Sequence, residues 1–179
     1  MEKFKDKEAR QTSSNWIPNI IIGEDYDRRY IDAPVHYDAL ENLAVFFGRD
    51  MPVHRHAQYF QIHYIETGDI NFHIDDKLYQ VKGPSLFFTP PAIPHSFQTM
   101  DDANGHVLTI QQSIIWDLMK RGLQLESELN LNLGICLTQS NMQEEQQKQR
   151  QLIQQLLQNI KDEWLATSLA KPLVLENFV

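Results

Sequence analysis

Residues 48–68 read "GRDMPVHRHAQYFQIHYIETG" and place three histidines within ten residues, between two glycines. The residues that follow the first two histidines alternate in character, which predicts a β-strand. His54 and His56 are two apart, so their side chains share one face, and Gln61 and His63 share a face on the next strand in the same way. In a closed barrel that face points inward. The stretch therefore predicts a cluster of imidazoles inside an all-β structure.

The surrounding region, residues 52–111, consists of short apolar-rich runs separated by turn signals. The turn signals include Thr67-Gly68-Asp69, Lys82-Gly83-Pro84 and Pro90-Pro91. Strands this short, with turns this frequent, predict an antiparallel sandwich or barrel. The preceding stretch "ALENLAVFFG" allows a short helix as well as a strand, and its spacing leaves both open.

Beyond residue 111 the apolar pattern becomes helical. In the segment around residues 141–166, apolar residues recur every three or four positions. They are Leu152, Ile153, Leu156, Leu157, Ile160 and Trp164. This stripe is too wide for one neighbour, so we expect one flank to pack on the barrel and the other to form an interface.

The chain divides into three parts by pattern. Residues 1–15 are polar and charged without an apolar period, which predicts a disordered tail. Residues 16–112 are expected to form the barrel with an N-terminal arm, and residues 113–179 a helical region. An apolar segment begins behind Pro172 and stops at Val179, so we interpret the sequence as a cut chain that lacks a further domain.

Composition excludes several classes of function. The longest apolar runs are too short to span a bilayer, and no early stretch resembles a signal peptide, so no membrane partner is expected. The single cysteine, Cys136, excludes an intramolecular disulfide and suits the cytoplasm. The net charge of −8 argues against nucleic-acid binding by this chain, because phosphate contacts need clustered lysine and arginine.

Two spacings resemble the conserved motifs of cupins. The first motif matches Gly48, His54, His56, Gln61 and Gly68, although cupins have glutamate at the position of Gln61. The second motif is looser. Gly83, Pro90, Pro94 and His95 match it, but Ala92 occurs where glycine is usual and Thr99 where asparagine is usual.

The turn "TPPAIPHSF" resembles the effector-binding domains of AraC-type transcription regulators. Within that family, the segments "NWIPNI" and "FGRDMPVHRHAQYFQIHYIETG" are most similar to activators of aromatic-acid catabolism. The resemblance implies a mainly β, cupin-like barrel followed by C-terminal α-helices. It also implies a small aromatic carboxylate as effector, no catalysis, and operator DNA contacts made only through a missing C-terminal helix-turn-helix domain.

The same resemblance assigns roles to individual residues. The predicted ligand-binding residues are His54, His56, Gln61, His63 and His95. All of these except His63 match the metal-ligating positions of cupin metalloenzymes, and three imidazoles suit zinc, nickel or iron. In many AraC-type domains these positions instead line a pocket that binds no metal. The sequence is compatible with both a metal site and a metal-free pocket.

Relatives dimerise through helices in the position of the long apolar stripe, which predicts a homodimer. The interface expected there comprises Ile153, Leu156, Leu157, Ile160 and Trp164. The alternative is a small metal-dependent cupin enzyme, a dioxygenase or isomerase, which would have no need of this helix. His36 and His106 carry no motif and are expected at the surface or at strand ends, and His73 could face either way.

Overall fold

The computed structural model describes residues 16–22, 24–25, 33–120, 134–138 and 144–166. The elements are β1 (Val35–Ala39), α1 (Leu40–Phe47), β2 (Asp50–His54), β3 (Tyr59–Thr67), β4 (Asp69–Ile74), β5 (Lys77–Lys82), β6 (Ser85–Thr89), β7 (His95–Thr99), β8 (Asn104–Gln111), α2 (Gln112–Lys120), β9 (Ile135–Thr138) and α3 (Glu144–Leu165). The tail predicted for residues 1–15 and the apolar segment behind Pro172 lie outside the described residues. Of the helices in these ranges, none has both the length and the apolar character needed to cross a bilayer.

The strands form two antiparallel sheets. One has the order β1-β8-β3-β6-β9 and the other the order β2-β7-β4-β5. Side chains from both sheets meet in one buried core, to which the strands contribute Met51, Ile65, Ile70, Phe72, Ile74, Phe87, Phe97 and Val107. The predicted cupin-like fold, mainly β and followed by helices, is confirmed.

Strand β4 shows how the alternating sequence builds this core. Ile70, Phe72 and Ile74 are buried, whereas His73 between them is exposed on the outer face. The turn before this strand depends on Gly68, whose φ is +84° and whose added Cβ would lie 2.4 Å from the Cα of Ala103. Only glycine fits both the left-handed conformation and this close approach.

Helix α3 packs across the outer face of the five-stranded sheet. The buried residues of this second core are Val35, Tyr37, Tyr64, Leu108 and Ile110 from the sheet, with Leu157, Ile160 and Trp164 from the helix. Ile153 packs against its edge. Three of the five residues expected at a dimer interface are therefore buried within their own chain. That part of the expectation is corrected, because the barrel already occupies this flank of the helix.

The structure decides one open point of the sequence interpretation and corrects two others. The ambiguous stretch before Gly48 forms helix α1. The region expected to be helical, residues 113–179, also contributes strand β9, which pairs with β6. His36 and His106 are not at the surface: both are buried, since the indole of Trp164 lies 5.1 Å from the imidazole of His36, and the hydroxyl of Tyr37 lies 2.7 Å from His106 Nδ1.

Candidate functional site

Three histidines of the four-stranded sheet and its connections converge inside the barrel. His54 on β2 lies directly opposite His95 on β7 in the antiparallel register, and their ring centroids are 4.2 Å apart. His56 follows β2, with its centroid 5.0 Å from that of His54 and 5.4 Å from that of His95. Each ring offers one nitrogen such that all three nitrogens lie within 4.8 Å of one another. The predicted convergence of these three imidazoles is observed.

Backbone carbonyl groups orient all three rings. Nδ1 of His54 lies 2.8 Å from the oxygen of Pro52, Nδ1 of His56 2.7 Å from that of Ile20, and Nδ1 of His95 3.0 Å from that of Ile93. A carbonyl oxygen only accepts, so Nδ1 must donate in each pair, and Nε2 of each neutral ring keeps its lone pair. Metal-ligating histidines are oriented by hydrogen bonds of this kind.

Gln61 reaches the cluster from the opposite sheet. It lies on β3, its Oε1 is 2.8 Å from His95 Nε2, and its Nε2 donates to Thr109 Oγ1 at 3.1 Å. With Nδ1 of His95 protonated, Nε2 and Oε1 would present two lone pairs to each other. Two arrangements relieve this conflict. Either the amide turns over and donates to His95, or a cation accepts both lone pairs.

The turn that delivers His95 is held close to His56. The backbone N–H of Ala92 donates to the carbonyl oxygen of His56 at 2.8 Å. Ala92 has φ +64°, a left-handed conformation that glycine adopts without strain. This explains physically why cupins have glycine at this position, and shows that the chain keeps the turn at the cost of local strain.

His63 forms the deeper wall of the site. It is 1% exposed, and its Nδ1 has no hydrogen-bond partner among the described residues. Its ring lies edge-on to Phe72, at 4.8 Å between centroids, and to Phe97, at 5.6 Å. The centroids of His63 and His95 are 6.1 Å apart, so His63 lies beside the cluster but faces a largely aromatic wall.

A small cavity of about 30 Å³ lies beside the cluster, in contact with His54, His56, Gln61 and His63 but not with His95. Its lining residues are Ile20, Ile22, Leu43, Met51, His54, His56, Gln61, His63 and Phe97. This is room for about one water molecule or ion. Sequence analysis did not assign the apolar lining residues Ile20, Ile22, Leu43, Met51 and Phe97 to the site, and no motif marks them. It also missed Thr109, the hydrogen-bond partner of Gln61, whose inward phase on β8 could have been found from the alternation in "HVLTI".

The electrostatic environment keeps the imidazoles neutral. Burial lowers the pKa of His54 to about 3, of His56 to about 4 and of His63 to about 3, and the neighbouring imidazoles contribute at His54 and His63. Burial also lowers the pKa of His95 well below its usual range. Neutral imidazoles are the form that binds metal ions.

These shifts predict that stability falls in mild acid. Below pH 6.5 the histidines of the unfolded chain take up protons that the folded chain does not bind, so stability is complete above pH 6.5 and declines toward pH 4. Each histidine contributes up to about 1.4 kcal/mol per pH unit. Urea unfolding of metal-free protein at pH 7.5 and pH 5.0 measures the decline. His73→Ala, at an exposed site, should leave it unchanged, and equal stability at both pH values would contradict the prediction.

Comparison with known proteins identifies a family and several solved structures. The family described as AraC-like ligand binding domain matches residues 45–176. No curated protein matches. KdgF from Halomonas sp. is 17% identical, with a TM-score of 0.33, over 35% of this chain and 58% of that one. The Cnp3 cupin domain of Schizosaccharomyces pombe is 13% identical, with a TM-score of 0.34, over 41% and 55%. A predicted oxalate decarboxylase from Thermotoga maritima is 22% identical, with a TM-score of 0.32, over 43% and 80%. The chain spans just over half the length of the first two structures.

Proposed function

Because the chain belongs to the family of AraC-like ligand-binding domains, we propose that it is the effector-sensing domain of an AraC-type transcription activator. The sequence resembles the activator of 4-hydroxyphenylacetate catabolism. The observation that carries the proposal is the convergence of His54, His56 and His95 inside the barrel, beside a cavity that His54 and His56 line. Such a regulator acts in the cytoplasm.

The effector we propose is a small aromatic carboxylate. Met51, Leu43 and Phe97 supply apolar walls, and the imidazoles with Gln61 supply polar groups at one end, which is the combination that such a ligand needs. The cavity of about 30 Å³ is too small for an aromatic ring. The apolar side chains that line it, among them Ile20 and Ile22 of the arm, must therefore move apart to admit the effector.

The donor set also fits a divalent metal ion such as zinc, nickel or iron. His54, His56 and His95 would hold it through Nε2, and Gln61 through its amide oxygen. Two metal–nitrogen bonds of ~2.1 Å span about 3.4 Å at a tetrahedral angle, so nitrogens as much as 4.8 Å apart would have to approach each other by more than about 1 Å. A bound metal would supply a positive charge that attracts a carboxylate.

Assembly and DNA binding complete the proposal. We place the homodimer interface on the flank of α3 that faces away from the barrel, where Leu152 is 61% exposed and Leu156 is half-buried. Operator DNA would be bound by a helix-turn-helix domain outside this sequence. The net charge of −8 argues against phosphate contacts by the present chain.

A metal-dependent cupin enzyme is the second candidate, and the three converging imidazoles favour it. Against it stands the neutral amide of Gln61 at the position where cupins have glutamate. The cavity lining in the described residues also contains no carboxylate that could act as a general base. Oxygen consumption or isomerisation of a cyclic sugar by the metal-loaded protein would favour the enzyme.

Stabilisation by ligand tests the effector. At a hundred times its dissociation constant, 4-hydroxyphenylacetate is expected to raise the free energy of unfolding by about 2.7 kcal/mol, because it binds the folded chain alone. Thermal unfolding and calorimetry measure this. 4-Hydroxyphenylethanol, which lacks the carboxylate, is the matched control and should give a smaller shift. Absence of binding at millimolar concentration, together with clear binding of a sugar, would contradict the proposal.

A further inference from the structure

The residues around the candidate metal position carry no compensating negative charge. His54, His56 and His95 are buried and donate Nδ1–H to carbonyl groups, and Gln61 is a neutral amide. A divalent ion held by these four groups would keep both of its charges. The cavity lining in the described residues contains no aspartate or glutamate. Burying a charge without a counter-charge is expensive, so this site should hold a metal ion weakly by itself.

An anion bound in the same cavity would lack a compensating positive charge. The described lining residues include no lysine or arginine. The Nδ1–H groups of the three clustered histidines already donate to backbone carbonyl oxygens. The Nε2 atoms therefore present lone pairs, which repel an anion. His63, 1% exposed and without a partner at Nδ1, is the remaining ring that can donate toward the cavity. One neutral N–H is little compensation for a buried carboxylate.

From this charge balance we propose that the site binds a divalent metal ion and a carboxylate anion cooperatively, and that Gln61 is the residue that makes each depend on the other. The proposal rests on the metal-binding effector site proposed above. The anion supplies the negative charge that glutamate supplies in cupins, and the metal supplies the positive charge that the cavity lacks. Coupling between two ligands is reciprocal, so each raises the affinity for the other by the same factor.

The experiment measures this factor by calorimetry on the 179-residue chain. Chelator-treated protein is titrated with Zn²⁺ in the presence and absence of 4-hydroxyphenylacetate, with acetate as a smaller probe, and the anion is titrated with and without Zn²⁺. In the unchanged chain we expect each to strengthen the other by at least about tenfold, within the ~5–150-fold range of coupled sites.

The Gln61→Glu variant supplies the missing charge within the protein. It is expected to bind Zn²⁺ more tightly than the unchanged chain when no anion is present, and to lose most of the coupling. Gln98→Glu adds the same charge at an exposed position on β7 and should leave both affinities and the coupling unchanged. This control separates the effect of a charge in the site from the effect of net charge.

The outcomes separate the inference from the proposed function. Tight Zn²⁺ binding that no anion alters would overturn the cooperativity but leave a metal site. Anion binding of equal strength with and without Zn²⁺ would overturn the cooperativity but leave the effector site. Absence of Zn²⁺ binding both in the unchanged chain with anion and in Gln61→Glu would overturn the metal site and the inference together.

Discussion

A chain in which His56 is replaced by alanine is expected to lose zinc binding. The substitution removes one of three imidazoles whose nitrogens lie within 4.8 Å of one another, and Gln61 alone is a poor replacement. Losing only a hydrogen bond to a ligand typically costs 10–100-fold in metal affinity, so removal of the ligand itself should cost at least ~100-fold. Equilibrium dialysis with metal analysis, in the presence of 4-hydroxyphenylacetate, measures the loss.

The His56→Ala chain must be shown to be folded, because the carbonyl group of Ile20 loses its hydrogen bond from Nδ1. We expect this loss to cost about 1–3 kcal/mol of stability. His73→Ala removes an imidazole from the exposed face of β4 and should keep full metal content. If His56→Ala binds as much zinc as His73→Ala, the ligands lie elsewhere and the cluster serves as a pocket wall.

Much of the site could be predicted from strand phase. Residues two apart on a strand share a face. The strings "HRH" and "QIH" therefore predict a shared inward face for His54 and His56 and another for Gln61 and His63, without knowledge of the strand register. Arg55, between the two histidines and out of phase with them, is exposed. The register between paired strands could not be predicted in this way. That His54 faces His95 follows from the pairing of β2 with β7, a long-range contact that no local pattern specifies.

The interactions made through the backbone were not predictable. The arm residue Ile20 enters the site because its N–H donates to the carbonyl oxygen of Arg55 and its carbonyl accepts from His56. Nothing in the side chain of an isoleucine marks either bond. The burial of His36 has a related cause, since Trp164 of the distant helix α3 lies against its imidazole. His106 is buried beside Tyr37 and Tyr64 of the neighbouring strands. Burial by an element distant in the chain cannot be predicted from the local sequence pattern.

The two flanks of α3 are expected to respond differently to substitution. Trp164 is 9% exposed and packs on His36, so Trp164→Ala should lower the free energy of unfolding by about 3–5 kcal/mol, the usual cost of removing a buried aromatic side chain. Leu156, half-buried on the other flank, does not belong to the buried core that the helix shares with the barrel. Leu156→Glu should therefore change stability by much less.

Oligomeric state distinguishes the same two substitutions. We expect the unchanged chain to sediment as a two-fold dimer at tens of micromolar, because exposed leucines on a helix that already packs on its own barrel mark a second interface. Leu156→Glu should sediment as a monomer, since it would bury a carboxylate from each copy in the apolar interface proposed for this flank. Leu165→Glu adds the same charge at a 69% exposed position nearer the end of the helix, and should weaken the dimer less. A monomeric unchanged chain, or a Leu156→Glu chain of unchanged mass, would remove the dimer interface from this helix and restrict α3 to covering the sheet.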